Sequence, residues 1–453
     1  MNRSRPERDR GTARAVALEI LRRVEEDAAY PDRLLDHLPG REGLDARDRA
    51  LTTELVYGSL RWQRRLDWQL ARVSRRPLPD LAPWTRALLR MSAYQLGFLD
   101  RIPPWAVVHE AVELAKGRRP QGAAEFVNGV LRTLAREAQP WPEPTAEDPI
   151  DALALRTSHP TWLIARWVAR YGAAETEMLA RAMNERPPFV VRVNSLKATS
   201  AAVADAMQSQ GVPVASCRFA PDGLALSEAG DPRTLAPLRE GWCAVQDEAA
   251  ILVGHVVAAE PGETVADVCA APGTKTTHLA QLMQNRGRIL AADPHSRRLA
   301  LLRSTCALLG ASIVDARASD VGTLARTVGA VCDRVLADAP CSNLGVLRRN
   351  PDGKWRRRED GLAALALTQG AILDAAAALV RPTGVLVYAT CSVEPEENEG
   401  VISEFRRRRP DFMPDPVPAR VPRVCLETPE MLRMFPHRHG SDGFTAFRLR
   451  RCA

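Results

Sequence analysis

No apolar run in this 453-residue chain reaches the ~18–20 residues that a membrane-crossing helix needs, so no transmembrane segment is expected. The opening MNRSRPERDRG lacks the apolar core of a secretory signal, and Glu7 and Asp9 argue against a transit peptide. The nine cysteines never fall at C-x-x-C spacing, which suits reduced thiols in a cytosolic protein better than a disulfide framework or a zinc site. His437 and His439 stand in a glycine-rich stretch without further ligands, so no metal is expected. Tandem repeats and low-complexity tracts are lacking. Two nucleotide signatures are also missing. G-x-G-x-x-G does not occur, which disfavours a dinucleotide. The P-loop pattern fails twice, because Cys269 and Thr274 hold the glycine positions before Lys275.

What is present fits a soluble protein of several domains. The composition is 45% hydrophobic and 26% charged, and the length suits two or three domains. A net charge of +7 raises the local concentration of polyanions and points towards nucleic acid.

The pattern along the chain divides it further. Residues 1–9 form a basic tail. Over 10–137 apolar residues recur at helical spacing (Ala13, Ala17, Ile20, Leu21, Val24; Leu51, Leu55, Val56, Leu60; Val127, Val130, Leu131, Leu134), predicting an all-α domain. Arg61, Arg64, Arg65, Arg75 and Arg76 fall between these stripes and read one by one as a solvated basic face. The proline-rich stretch 138–149 reads as a linker. A helix, a strand and a helix make 150–240 a small α/β subdomain. From 241 to 453, ETVADV, GRILAADP, ASIVDA, DRVLADAP and GVLVYATC alternate with helical spans such as Leu365 to Val380. That rhythm predicts a parallel, doubly wound, Rossmann-like sheet.

The first of these strands runs into DVCAAPGTKTTHLAQLM, a tight turn before a helix at the sheet edge where doubly wound folds bind ligands. Gly273 allows backbone shapes and close approaches closed to other residues. Asp293 ends the second strand and is placed to accept from ribose hydroxyls; Asp320 follows the third and Asp338 ends the fourth. With phosphate-bearing nucleotides disfavoured, S-adenosylmethionine is the adenosine ligand that suits these acids.

The fourth and fifth strands run into Cys341 and Cys391, each followed by serine. Carbon 5 of a pyrimidine is barely nucleophilic, but a thiolate added to carbon 6 makes it so. The adduct must then be undone by loss of the carbon-5 proton and expulsion of the thiol. The sulfur has to be thiolate, so its surroundings must favour the anion; a cationic cofactor and Lys275 are candidates. Asp338 could hydrogen-bond the N3 and N4 edge of the base. As lone residues these cysteines would read as small buried hydrophobes, and Cys217, Cys243, Cys306, Cys332, Cys425 and Cys452 are left in that role.

At these residues the sequence closely resembles the RNA cytosine-C5 methyltransferases. DVCAAPGTKT is similar to their cofactor loop, DAPCS and TCSVEPEENE to their two cysteine motifs, and RRNPDGKW, VQDEAA, RVNSLK and HRHGSDGFTAFRLRR also match. The stretches LVYGSLRW, LLRMSAYQLGFLDRIP, AVVHEAVELAK and FVNGVLR resemble the NusB-type RNA-binding fold, a combination found in the Sun (Fmu) branch that acts on small-subunit 16S ribosomal RNA. The resemblance implies Cys391 as nucleophile and Cys341 as the cysteine that assists product release, with Asp338 and Lys275 beside them. It implies cofactor contacts from Cys269, Ala270, Ala271, Pro272, Gly273, Thr274 and Lys275, together with Asp293, Asp320 and Asp338. Thr274 replaces a usual glycine, and Ser342 to Gly345 (SNLG) replaces Ser-Gly-Thr-Gly; Asn343 tolerates left-handed backbone, whereas Leu344 bears on the shape of the base-binding loop. The alternatives are transfer RNA as the substrate, or an RNA-binding assembly factor with an inert catalytic half.

Overall fold

A computed structural model of the chain describes residues 11–37, 43–118, 121–137 and 139–453; the basic tail over 1–9 lies outside the described residues. The chain divides into a helical unit, residues 1–184 with 350–356, and an α/β unit, residues 185–349 with 357–453. No helix among the described residues is long and apolar enough to cross a membrane.

In the helical unit the expected stripes face inward. Ile20, Leu55, Val56, Leu66, Leu70, Leu88, Val127, Leu131 and Leu134 are fully buried in one core, formed by helices Ala13–Glu26, Ala46–Arg61, Gln63–Val73, Pro83–Phe98 and Ala123–Arg136. Helices Pro149–Arg156, Thr161–Tyr171 and Ala173–Ala182 belong to this unit, although composition had grouped them with the α/β subdomain. The arginines explain part of the difference. Arg64 donates to His159 O (2.7 Å) and pairs with Asp151 (2.5 Å), and Arg65 pairs with Glu143 at 2.9 Å. These side chains read as solvated, yet they hold the later helices to the earlier ones. The proline-rich stretch is anchored too, since Trp141 is buried in the same core. From the returning segment, Trp355 donates its indole N–H to Leu60 O (2.6 Å), and the buried Lys354 amine donates to Asn184 Oδ1 (2.9 Å).

The α/β unit begins with a four-stranded antiparallel sheet: β1 (Phe189–Val193), β2 (Val214–Ser216), β3 (Gly223–Leu226) and β4 (Cys243–Val245), in the order β2-β3-β1-β4. Just before β3, Asp222 accepts from His255 Nε2 (2.9 Å) and His278 Nε2 (2.8 Å). Burial lowers His278 to about 4, so it is neutral near pH 7, and the triad fastens the small sheet to two helices of the larger layer.

Five strands of the main sheet are those expected: β5 (Thr264–Asp267), β6 (Arg288–Asp293), β7 (Val314–Ala318), β8 (Cys332–Asp338) and β9 (Val380–Thr390), mutually parallel in the order β9-β8-β5-β6-β7. Both faces of the central strands are covered, so their buried stretches are continuous apolar runs rather than alternating, whereas the edge strand β7 (VDARA) is half-buried and carries Asp315 and Arg317. Val265, Ile289, Leu336 and Val387 enter one core, while Ala266, Leu290, Val335 and Tyr388 enter the other. The sheet is not wholly parallel, which corrects the sequence reading. The final residues add β10 (Phe412–Pro414), β11 (Leu426–Thr428), β12 (Met431–Met434) and β13 (Phe444–Arg451), with β13 antiparallel to β9. β13 follows β12 after a connection of only nine residues, too short for a crossover, so the two pair antiparallel. The helix expected over 365–380 ends earlier, at Ala377, because Val380 already opens β9.

Candidate active site

Strands β8 and β9 lie side by side and parallel, with Asp338 opposite Ala389 in register, so their carboxyl ends reach the same edge of the sheet. Two residues past Asp338, then three, the chain reaches Pro340 and Cys341; one residue past the end of β9 it reaches Cys391. The two sulfurs stand 3.2 Å apart. Sequence spacing placed each thiol on a loop, and parallel pairing brings them together.

The loops are held by a residue that the sequence reading passed over among the acids after Cys391. Glu397 is fully buried. Its carboxylate accepts from Ser342 N (2.7 Å), Ser342 Oγ (2.5 Å), Ser392 Oγ (2.5 Å) and Gln369 Nε2 (3.0 Å). Ser342 follows Cys341 and Ser392 follows Cys391, so one carboxylate fixes both cysteine loops. Arg357 adds a bond to Ser342 O at 2.9 Å. Gly345 N donates to Cys391 O (2.9 Å) and Gly443 N to Gly345 O (2.8 Å). A Cβ on Gly345 would come within 2.2 Å of Gly443 O, so only glycine lets these strands of backbone pass.

Lys275 pairs with Asp338 at 2.7 Å and lies 4.9 Å from the centre of the Phe444 ring. Burial works against the Lys275 ammonium, but Asp338 more than offsets it and holds the group above its ordinary range. The balance at Cys391 runs the other way from the expected one. Its hydrogen bond with Cys341, then burial and the charge of Asp338, push the thiol well above its usual value; Lys275 favours the thiolate without prevailing. Asn343, read as a mild departure, takes the left-handed conformation (φ +63°), and its Oδ1 accepts from Cys391 Sγ at 2.9 Å. Leu344 is fully buried.

The turn after β5 carries Cys269 to Gly273 into the helix Thr274–Leu282. Gly273 has φ +107°, beyond easy reach of other residues, and an added Cβ would stand 3.3 Å from Leu302. Ala270 and Ala271 are buried, so a ligand here would meet mainly backbone. Pro272 is exposed and Thr274 half-buried, while burial drives the Cys269 thiol far up, leaving it an apolar wall. Asp293 is 2% exposed; one oxygen accepts from His295 N (2.9 Å) and the other faces Arg298 at 3.3 Å. Asp320 stands apart from the other acids in its bonding. It caps the helix Val321–Val328, accepting from Thr323 N (2.9 Å) and Thr323 Oγ1 (2.8 Å). Asp267, which ends β5, was not singled out by the sequence reading. It is buried, one oxygen accepts from Thr276 Oγ1 (2.7 Å), and the other has no hydrogen-bond partner among the described residues. Burial raises it to about 6. Its position opening the DVCAAPGTKT stretch was the available signal.

Comparison with known proteins accords with this arrangement. Residues 11–136 match the NusB family, 159–232 the ferredoxin-like domain of RsmF/B-like methyltransferases, and 255–450 the 16S rRNA methyltransferase RsmB/F family. A probable ribosomal RNA small subunit methyltransferase B of Bacillus subtilis (strain 168) is 38% identical, covering 96% of this chain and 97% of its own. Its counterpart in Synechocystis sp. is 36% identical over 96% and 98%. The crystal structure of PH0851 superposes with a TM-score of 0.82 at 29% identity, covering 100% of each chain. Two thiols closing adjacent parallel strands, on a chain alike end to end, leave one assignment: this protein is a methyltransferase belonging to the ribosomal RNA small subunit methyltransferase B family.

Proposed function

We propose that this enzyme transfers the methyl group of S-adenosylmethionine to carbon 5 of a cytosine in small-subunit (16S) ribosomal RNA, with Cys391 as nucleophile and Cys341 as the thiol that clears the product. The observation that carries the reading is the pair of sulfurs 3.2 Å apart, with the Lys275–Asp338 pair beside them. One thiol is enough to activate carbon 5; a second, within proton-transfer distance, suits a reaction whose covalent adduct has to be reversed. Addition of the Cys391 thiolate to carbon 6 forms the C–S bond and places the electron pair at carbon 5. After methylation, the Cys341 sulfur, as thiolate, takes the carbon-5 proton and the C–S bond breaks, so the C–H electron pair re-forms the ring double bond and the Cys391 sulfur leaves as thiolate. In this reading Asp338 bonds the N3 and N4 edge of the base, and Lys275, 2.7 Å from that carboxylate, holds it in line while favouring the thiolate.

The strand-end residues fit an adenosine methyl donor on their chemistry. Asp293 retains lone pairs for ribose hydroxyls. The unpartnered oxygen of Asp267 suits a donor group, and Gly273 keeps the turn beneath them tight. Asp320, with both oxygens engaged by Thr323, retains only its outward lone pairs for a ligand. When bound, S-adenosylmethionine supplies an electrophilic methyl on a positively charged sulfur. The +7 net charge, the NusB-family match over 11–136 and the names of the relatives support ribosomal RNA as substrate. A cytosine presented to such a pocket must be unstacked.

Two variants test the assignment. Cys391→Ala abolishes methyl transfer and forms no adduct, whereas Cys341→Ala accumulates a covalent protein–RNA species visible on a denaturing gel. The opposite pattern would exchange the two roles. Mapping 5-methylcytosine in small-subunit ribosomal RNA from cells with and without the gene tests the substrate. Loss of the mark from transfer RNA alone would redirect it.

A further inference from the structure

We infer that Asn343 is a positioning residue for the reacting thiol, its carboxamide oxygen accepting a hydrogen bond from the Cys391 thiol and parking the sulfur beside Cys341 in the resting enzyme. Asn343 Oδ1 lies 2.9 Å from Cys391 Sγ and 3.5 Å from Cys341 Sγ, so the stronger bond goes to Cys391. The carboxamide is not free to drift. Its backbone sits at φ +63° in a turn closed by Val346 N donating to Asn343 O (3.1 Å), between a Ser342 gripped by Glu397 and a Gly345 bonded to Cys391 O. An oxygen that only accepts favours the protonated partner, so it stabilises thiol over thiolate.

The charged and titratable groups that face Cys391 are few. Cys341 and Asp338 approach from β8 and its loop, and both favour the protonated thiol. Lys275 approaches from the helix Thr274–Leu282 and opposes them. Asn343 adds an acceptor to the first group, at the one position from which it reaches the sulfur directly. A parked thiol is slow to react with oxidants or electrophiles, which act on thiolate, until a cation enters the site. The functional meaning of this device rests on Cys391 being the nucleophile, but its test does not.

The test is alkylation of the full-length protein by iodoacetamide, followed site by site by mass spectrometry between about pH 6 and pH 10. Asn343→Gly removes the acceptor at a φ that glycine adopts without strain, and Asn343→Asp keeps the shape while adding negative charge. The glycine variant is expected to alkylate Cys391 on the order of three- to tenfold faster at about pH 7.5, with its pH profile moved to lower pH. In the aspartate variant the profile moves to higher pH. An acceleration equal at every pH would mean wider access only and would overturn the inference. So would an unmoved profile, or a shift in Cys341 as large as that in Cys391. If Cys391→Ala retained methyl transfer, the proposed reaction would fail while the alkylation profiles still decided the role of Asn343.

Discussion

Removing Glu397 tests whether one carboxylate sets the geometry of both thiols. In Glu397→Ala the two serine hydroxyls can turn to each other, since Ser342 Oγ and Ser392 Oγ are already 3.2 Å apart. Gln369 Nε2 keeps Pro340 O at 3.0 Å. Ser342 N–H, buried, is left with nothing. One orphaned donor costs about 1–3 kcal/mol, and the lost bonds to a charged acceptor with the small cavity bring the total to roughly 2–5 kcal/mol. Against the ~5–15 kcal/mol of a typical folded domain that is a large share. Glu397→Gln should lose only about 1 kcal/mol, because its oxygen still serves Ser342 N and Gln369 while rotated hydroxyls accept from its amide. The assay is urea unfolding of each variant, paired with adduct formation in a Cys341→Ala background. Both quantities should fall for alanine and largely recover for glutamine. An alanine variant within about 0.5 kcal/mol of the parent that forms adduct at the parent rate would refute the bracing role.

Three further outcomes are expected. Asp267 titrates near 6 in the fold against ~3.9 unfolded, so the folded state binds its proton more tightly and the charged form costs stability above about pH 6, a cost relieved as pH falls towards 4. Asp267→Asn should therefore raise the unfolding free energy at about pH 7.5 on the order of 1–3 kcal/mol, with the gain gone near pH 4; an equal gain at both would be inconsistent with a buried charge. Lys275→Met takes away the cation that favours the Cys391 thiolate and should slow adduct formation about tenfold or more while moving its pH profile upward. A slower rate with an unshifted profile would assign Lys275 to binding alone. Gly345→Ala forces a Cβ into Gly443 O and should cost about 1–3 kcal/mol or more in a denaturation series, whereas a neutral change would mean the loop can yield.

The parallel strands and the two strand-end cysteines were legible in the sequence because their signals are local. A strand buried on both faces must be apolar along its length, as in RVLAD and VLVYAT, and a residue just past such a strand must lie at the sheet edge. Asp293 and Asp338 were found on the same grounds. The last strand was hidden by its charge. FTAFRLRR carries three arginines, and Arg448 becomes a core residue only by donating to Asp415 (2.7 Å), Val256 O (2.7 Å) and Val257 O (3.1 Å). Arg64 and Arg65 misled in the same way, since their partners lie 87 and 78 residues further on.

The amino-acid order alone determined which side chains stand at the strand ends where the chemistry is proposed, because hydrophobic period and strand termination are properties of neighbouring residues. Folding decided their distances and their charge states. Cys341 and Cys391 are 50 residues apart in the chain and 3.2 Å apart in space. The upward push on Cys391, the grip of Glu397 on both loops and the reach of Asn343 to a sulfur 48 residues away all depend on that meeting. Hydrogen bonding and desolvation act over a few ångströms, so no reading along one dimension could have supplied them.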